Sequence, residues 1–91
     1  TASHRVIIDF DAQAVEYVWM RKVHSTQRLA ALPGGGVRLS MTVSNLTPVI
    51  SWVLEWGQRA RAVEPPELVE RVRAELENAL KGYRKRPARR A

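Results

Sequence analysis

Apolar and polar residues alternate strictly in one segment of the chain. Between residues 37 and 44 every second side chain is apolar, and the side chains between them are polar. Successive side chains of a strand point to opposite faces of its sheet, so this segment predicts a strand that is buried on one face and open on the other. The open face would carry Arg38, Ser40, Thr42 and Ser44.

Three further strands are predicted from residue type and from turn residues. Residues 5–10 are rich in β-branched side chains, residues 27–32 end at a Pro-Gly-Gly-Gly turn, and residues 60–64 follow Gly57. Glycines adopt the positive φ angles of a tight turn, so the second and third strands should form a hairpin. In the second strand, alternation leaves open which of two sets faces outward. These are Gln27, Leu29 and Ala31, or Arg28, Ala30 and Leu32.

Two amphipathic helices are predicted, one near the start and one near the end of the chain. Asp11 is a good N-cap residue for the first, which should end near Lys22 and turn Val18 and Trp19 towards the core. The last helix runs from about residue 65 to residue 83. Its apolar residues span an arc of only about 120°, as expected for a helix that lies on a sheet.

The middle helix is apolar around much more of its circumference. Thr47 is a candidate cap, Pro48 suits the first turn, and Gly57 should end the helix in the left-handed conformation. Between these limits the apolar residues cover about 200° of the helical wheel. Two interpretations remain open for Trp52 and Trp56: they pack inside the domain, which we favour, or they contact another domain or subunit.

The predicted order of elements is β-α-β-β-α-β-α, which is the split βαβ order of a ferredoxin-like sandwich with an added helix. The fold class is therefore α+β: a four-stranded antiparallel sheet with the helices on one face. The other face would be open and rich in arginine. We expect Arg38, Arg59, Arg61 and Arg5 there, with Arg28 if its set faces outward.

The formal net charge of +6 is concentrated at the C-terminal end of the chain. From Lys81 onward there are basic residues and no acidic ones, so the rest of the chain is close to neutral. We expect residues 1–4 to be a linker or an expression remnant, residues 5–83 one domain, and residues 84–91 a basic, disordered tail that attracts polyanions non-specifically. No apolar run approaches the length of a membrane span.

Catalytic and metal-binding patterns are weak. The chain has no cysteine, and His4 and His24 lie in different segments without acidic partners at ligand spacing, so we expect no metal and no cofactor. The glycine run joins two strands and does not lead into a helix, which argues against a phosphate-binding loop. A standard RNA-recognition motif stacks bases on exposed aromatic residues of its central strands. The open face of the third strand has no aromatic residue, so this motif is also excluded. We therefore expect no enzymatic activity.

Several motifs follow one another in a characteristic order: His24 and Gln27 before the second strand, Trp52, Leu54 and Gly57 at the end of the middle helix, and Val63, Glu64, Pro65, Leu68 and Tyr83 from the fourth strand to the end of the last helix. Taken together, they resemble the C-terminal extension domain (WCX) that follows the WYL domain in bacterial transcription regulators. The resemblance is strongest from residue 24 to residue 83 and weaker over the first strand and helix. The Pro-Gly-Gly-Gly turn departs from the family pattern, in which an acidic residue often precedes the glycine.

The resemblance implies a non-catalytic regulatory domain of a longer, cytoplasmic, nucleoid-associated regulator that contains WYL and helix-turn-helix domains. Such a domain would dimerise, with Trp52 and Trp56 in partner contacts. It would also help to bind single-stranded DNA as an effector through Arg38, Arg59, Arg61, Arg28 and Arg5. Two alternatives remain: a domain that only dimerises, and an ACT-like sensor of small molecules, although ACT-like sites use a glycine-rich loop after the first strand that this chain lacks.

Overall fold

The structure is a computed structural model that describes residues 3–84. Four strands, three α-helices and two short 3-10 turns follow one another along these residues. The 3-10 turns are Pro33–Gly35 and Gly57–Arg59. The strands and helices are β1 (His4–Phe10), α1 (Val15–Met20), β2 (Arg28–Ala31), β3 (Val37–Val43), α2 (Thr47–Trp56), β4 (Ala60–Glu64) and α3 (Pro66–Arg84).

The four strands form one antiparallel sheet in the order β2-β3-β1-β4. β1 lies between β3 and β4, so each of the connections β1-α1-β2 and β3-α2-β4 passes over one intervening strand. This is the split βαβ arrangement. The predicted ferredoxin-like α+β fold is confirmed.

One apolar core lies between the sheet and the helices. Alternate residues of β1 and β3 are almost completely buried, and the residues between them are partly or fully exposed. The helices therefore cover a single face of the sheet. The core consists of Val6, Ile8, Phe10, Ala14, Val18, Val37, Leu39, Met41, Val43, Leu46, Val49, Ile50, Val53, Ala62, Leu68 and Val72.

α1 is shorter than the sequence predicts. The Oδ1 atom of Asp11 accepts hydrogen bonds from the backbone N–H groups of Gln13 and Ala14 at 3.0 and 3.2 Å, so Asp11 caps a turn that precedes the helix. The helix itself has six residues, and of these only Val18 is buried. Val15 is partly buried against the core beside Val18, whereas Trp19 is 52% exposed, so the expectation that Trp19 packs there is wrong.

The ends of α2 also differ from the prediction. Thr47 does not cap the helix: it is the first helical residue, and its backbone N–H donates to Oδ1 of Asn45 at 3.1 Å. The hydroxyl of Thr47 instead accepts a hydrogen bond from Arg71 on α3. Gly57 has the predicted positive φ of 59°, but its ψ of −128° lies outside the left-handed helical region. Its N–H bonds to the carbonyl of Leu54, so glycine still permits the sharp exit.

The two halves of α3 differ in how far they are buried. Its first two turns pack on the sheet and on α2, with Leu68 and Val72 buried. From Arg73 to Arg84 every residue is exposed. Arg73 forms ion pairs with Glu70 and Glu77, each at 3.5 Å, so the outer part of the helix is supported chiefly by its own side chains.

Candidate anion-binding face

The face of the sheet turned away from the helices, here called the open face, carries a row of alternating charges. Strand register places Asp9 of β1 opposite Arg38 of β3 and opposite Arg61 of β4. Ala30 of β2 lies on the other side of Arg38. Asp9 therefore has an arginine beside it on each neighbouring strand.

Arg38 and Asp9 form a two-point ion pair. Nε of Arg38 donates to Oδ1 at 2.7 Å, and Nη2 donates to Oδ2 at 2.9 Å. These hydrogen bonds, then the negative charge of Asp9 itself, raise the pKa of the Arg38 guanidinium above its ordinary value. Parallel hydrogen bonds of this kind fix the plane of the guanidinium. Arg38 is thus held in one orientation on an otherwise accessible surface.

Arg59 extends the same pattern beyond the end of the strands. The backbone N–H of Asp11 donates to the carbonyl of Arg59 at 2.9 Å, which continues the β1–β4 ladder by one step. Arg59 itself belongs to the 3-10 turn Gly57–Arg59 that precedes β4, so it lies at the end of the sheet, near Arg61. Its Nη1 is 3.3 Å from Oδ2 of Asp11, a longer and more solvated contact than that between Arg38 and Asp9.

The register of β2 settles which of its residues face outward. Arg28 lies opposite Ser40, and Leu29 lies opposite the buried Leu39, so Arg28 is on the open face. Arg5 lies opposite Thr42 and faces the same way. Within residues 3–84, no carboxylate lies within 4.0 Å of Arg5, Arg28 or Arg61. The structure therefore brings four of the five arginines singled out in the sequence to one face and places Arg59 at its end. Their role in binding stays a prediction.

The strand positions of the open face carry no aromatic ring. Ile7 is the apolar residue at its centre, half-buried between Ser40 of β3 and Glu64 of β4. Proteins that bind single strands commonly combine a basic groove with aromatic stacking platforms. This face provides the cationic part of such a site, so it is suited to contacts with phosphates more than with bases.

The two tryptophans of α2 lie on the opposite side of the sheet, in an aromatic cluster. Phe10 contacts Trp52 and Trp56 edge to face, with ring centroids 5.4 Å apart in both pairs. Tyr17 packs on Trp56 at 4.9 Å, and the guanidinium of Arg21 lies 4.2 Å from the centroid of the Tyr17 ring. Both tryptophans are partly buried within the domain. Their contact with a partner stays a prediction, and only the part of each side chain that remains exposed could make it.

Two of the residues that carry the family resemblance have a structural role in the loop before β2. Oε1 of Gln27 accepts hydrogen bonds from the backbone N–H groups of Val23 and His24, and its Nε2 donates to the carbonyl of Arg21. Nδ1 of His24 contacts the hydroxyl of Thr26 at 2.8 Å. These bonds fold the loop back on itself, so His24 and Gln27 position the start of β2 and hence Arg28.

The ion-pair partners of the arginines are what the sequence analysis missed. Asp9 is two strand positions from Ile7 and therefore shares its face, but the pairing of Asp9 with Arg38 depends on the register between two strands that are distant in sequence. Alternation along residues 5–10 indicates the face on which Asp9 lies, and only the pairing of β1 with β3 identifies the arginine that it contacts.

Neither a metal site nor a membrane span is present in the described part of the chain. Within residues 3–84 there is no group of three or more histidine, aspartate or glutamate side chains placed to hold a metal ion. The helices in this range are also too short or too polar to cross a bilayer.

The comparison with protein families agrees with the fold. The model of the WCX domain family matches residues 2–80, which include every strand, α1, α2 and most of α3. No curated protein matches the chain. Since the match covers most of the sequence, the chain belongs to the WCX family, which indicates the C-terminal domain of a WYL-type transcription regulator.

Proposed function

We propose that this domain regulates a WYL-type transcription regulator by dimerising and by contributing its open face to the binding of a single-stranded DNA effector. The partners would be a second copy of the chain, the WYL and helix-turn-helix domains of the same polypeptide, and the effector strand, in the bacterial cytoplasm at the nucleoid. The domain would perform no catalysis, and the proposal requires no cofactor.

The observation that carries the proposal is the collection of four arginines on one face of the sheet, with Arg59 at its end. They come from all four strands or their ends, and neighbouring strands are about 4.8 Å apart. A flexible polyanion lying across the strands could therefore contact several of them at once. Phosphate groups are the natural ligands of such a surface, because guanidinium groups bind them through paired hydrogen bonds.

The ion pair with Asp9 leaves Arg38 able to bind a phosphate group. A guanidinium has five N–H donors, and two of those of Arg38 bond to Asp9. The remaining donors stay available, and the fixed plane reduces the conformational entropy lost on binding. Arg61, on the other side of Asp9, contributes a guanidinium that no carboxylate neutralises within residues 3–84.

The proposal is tested by fluorescence anisotropy with a short labelled single-stranded DNA. Two chains are compared, the intact chain and one that ends at Arg84, so that the effect of the basic residues beyond position 84 is measured separately. We expect both chains to bind, with affinity falling steeply as salt increases, because each phosphate contact releases condensed counterions. An unlabelled duplex should compete poorly.

Substitutions then locate the site. Replacement of Arg38 and Arg61 by alanine together should weaken binding and lower the salt slope by about 1–2, since each phosphate contact accounts for about one unit. Arg71→Ala is the matched control, because Arg71 lies on α3, on the covered side of the sheet. Binding by the intact chain alone, or an unchanged salt slope in the double variant, would rule out the open face as the effector site.

The alternative of a domain that only dimerises has one observation in its favour. Two of the five arginines are already paired with carboxylates, so the face is less cationic than the sequence indicates. On this alternative the arginines keep an exposed sheet face soluble, and neither chain described above would bind the labelled strand specifically.

A further inference from the structure

The outer half of α3 exposes an apolar stripe that the described part of the chain does not cover. Leu76 is 49% exposed, Leu80 is 46% exposed and Tyr83 is 89% exposed. These residues are spaced four and three positions apart, so they lie on one side of the helix. The stripe continues the buried side of the inner half, where Leu68 and Val72 contact the core.

The stripe forms one wall of an apolar groove. β4 is an edge strand of the sheet, and the groove between it and α3 has a volume of about 260 Å³. Ala60 and Ala62 line the strand side, and Val69, Val72, Leu76 and Leu80 line the helix side. The small alanine side chains leave room for larger apolar groups from outside the domain.

Charges along α3 are distributed unequally. Between Pro66 and Asn78 the helix carries four glutamates and two arginines, whereas Lys81 and Arg84 are the only charged residues of its last turns. Two such helices placed side by side in parallel would bring like charges together. Placed antiparallel, the basic end of each would lie beside the acidic middle of the other.

We propose that the groove between β4 and α3 is filled by the outer half of α3 from a second copy of the chain, with the two helices antiparallel. This inference rests on the dimerisation in the proposed function and identifies the surface responsible. Each copy then offers both the groove and the helix that fills it, as the symmetry of a twofold dimer requires. The segment from Arg73 to Arg84 is about 17 Å long, comparable with the length of β4.

The test is sedimentation of the intact chain over a range of concentrations, compared with Leu80→Glu. The wild-type chain should change from monomer to dimer as concentration rises, and Leu80→Glu should weaken association at least tenfold because it places a charge in the apolar groove. Met20→Glu is the matched control, since Met20 is an 80% exposed apolar residue on α1 and should leave association unchanged. Circular dichroism checks that each variant is folded.

A charge exchange tests the antiparallel arrangement separately. Lys81→Glu with Arg84→Glu should weaken the dimer, and adding Glu75→Lys and Glu77→Lys in the same chain should restore it, because the opposed charges become complementary again. A dimer that is insensitive to Leu80→Glu would overturn this surface while leaving the proposed dimerisation intact. A wild-type chain that stays monomeric at every concentration would overturn both. A monomer that still binds the labelled strand would leave the effector part of the proposed function standing.

Discussion

Ile7 and Ile8 are adjacent residues of the same type, and they differ only in the face of the sheet on which they lie. Ile8 is completely buried beneath the helices, opposite Leu39 and Ala62. Ile7 is half-buried on the open face, between Ser40 and Glu64. The pair shows the effect of the two-residue period of a strand: one face stabilises the fold, and the other is free to carry charge.

The two faces also differ in how their interactions are made. Contacts in the core are non-directional and come from burial, so many apolar residues would serve at each position. On the open face the interactions are directional ion pairs between particular side chains, which contribute little to stability in contact with water. Substitutions should therefore affect stability on one face and anion binding on the other.

The largest expected effect comes from the core. Ile8→Ala should lower the free energy of unfolding by about 2–5 kcal/mol, because it removes buried methyl groups and leaves a cavity. Ile7→Ala, the matched control, should cost no more than about 1 kcal/mol, since its side chain is partly solvated in the folded state. Urea unfolding of both variants measures the difference. Similar losses from the two substitutions would contradict the assignment of the faces.

Hydrophobic periodicity was sufficient to predict the covered face. The alternation of residues 37–44 and the β-branched residues of the first strand identified the buried side chains of β1 and β3, and the order of elements then determined the sheet. The limits of β4 were predicted as the structure has them, because Gly57 and Pro65 mark its ends. Burial of alternate residues leaves a regular pattern of apolar residues in the sequence, and that is why the covered face could be predicted.

Local hydrogen bonding and strand register were less predictable. The side chain that accepts a hydrogen bond from the first N–H group of α2 belongs to Asn45, although Thr47 has the chemistry of a cap as well, and only the backbone geometry determines which bond forms. The outward direction of Arg28 and the pairing of Asp9 with Arg38 depend on register, which alternation within a single strand does not specify.

Arg61 in β4 and Arg59 just before it should differ in their contribution to anion binding. Arg61→Gln should weaken the binding of single-stranded DNA about fivefold and lower the salt slope by about 1, because it removes a guanidinium that no carboxylate neutralises within residues 3–84. Arg59→Gln should have an effect of about twofold, since its charge is already shared with Asp11. Anisotropy titrations at several salt concentrations compare them. Equal effects would show that the ion pair does not limit the availability of Arg59.

One substitution on the open face is expected to raise the affinity. Asp9→Asn keeps the shape of the side chain but removes the negative charge that lies between Arg38 and Arg61, so the Arg38 guanidinium can turn towards a ligand and the local positive charge increases. The affinity for single-stranded DNA should rise about threefold and the salt slope should steepen by up to about one unit. Glu75→Gln, which removes one negative charge from α3, is the control for the change in net charge and should have a smaller effect. If Asp9→Asn instead weakens binding, the fixed orientation of Arg38 matters more to the site than the charge that Asp9 neutralises, and the ion pair is then part of the binding site itself.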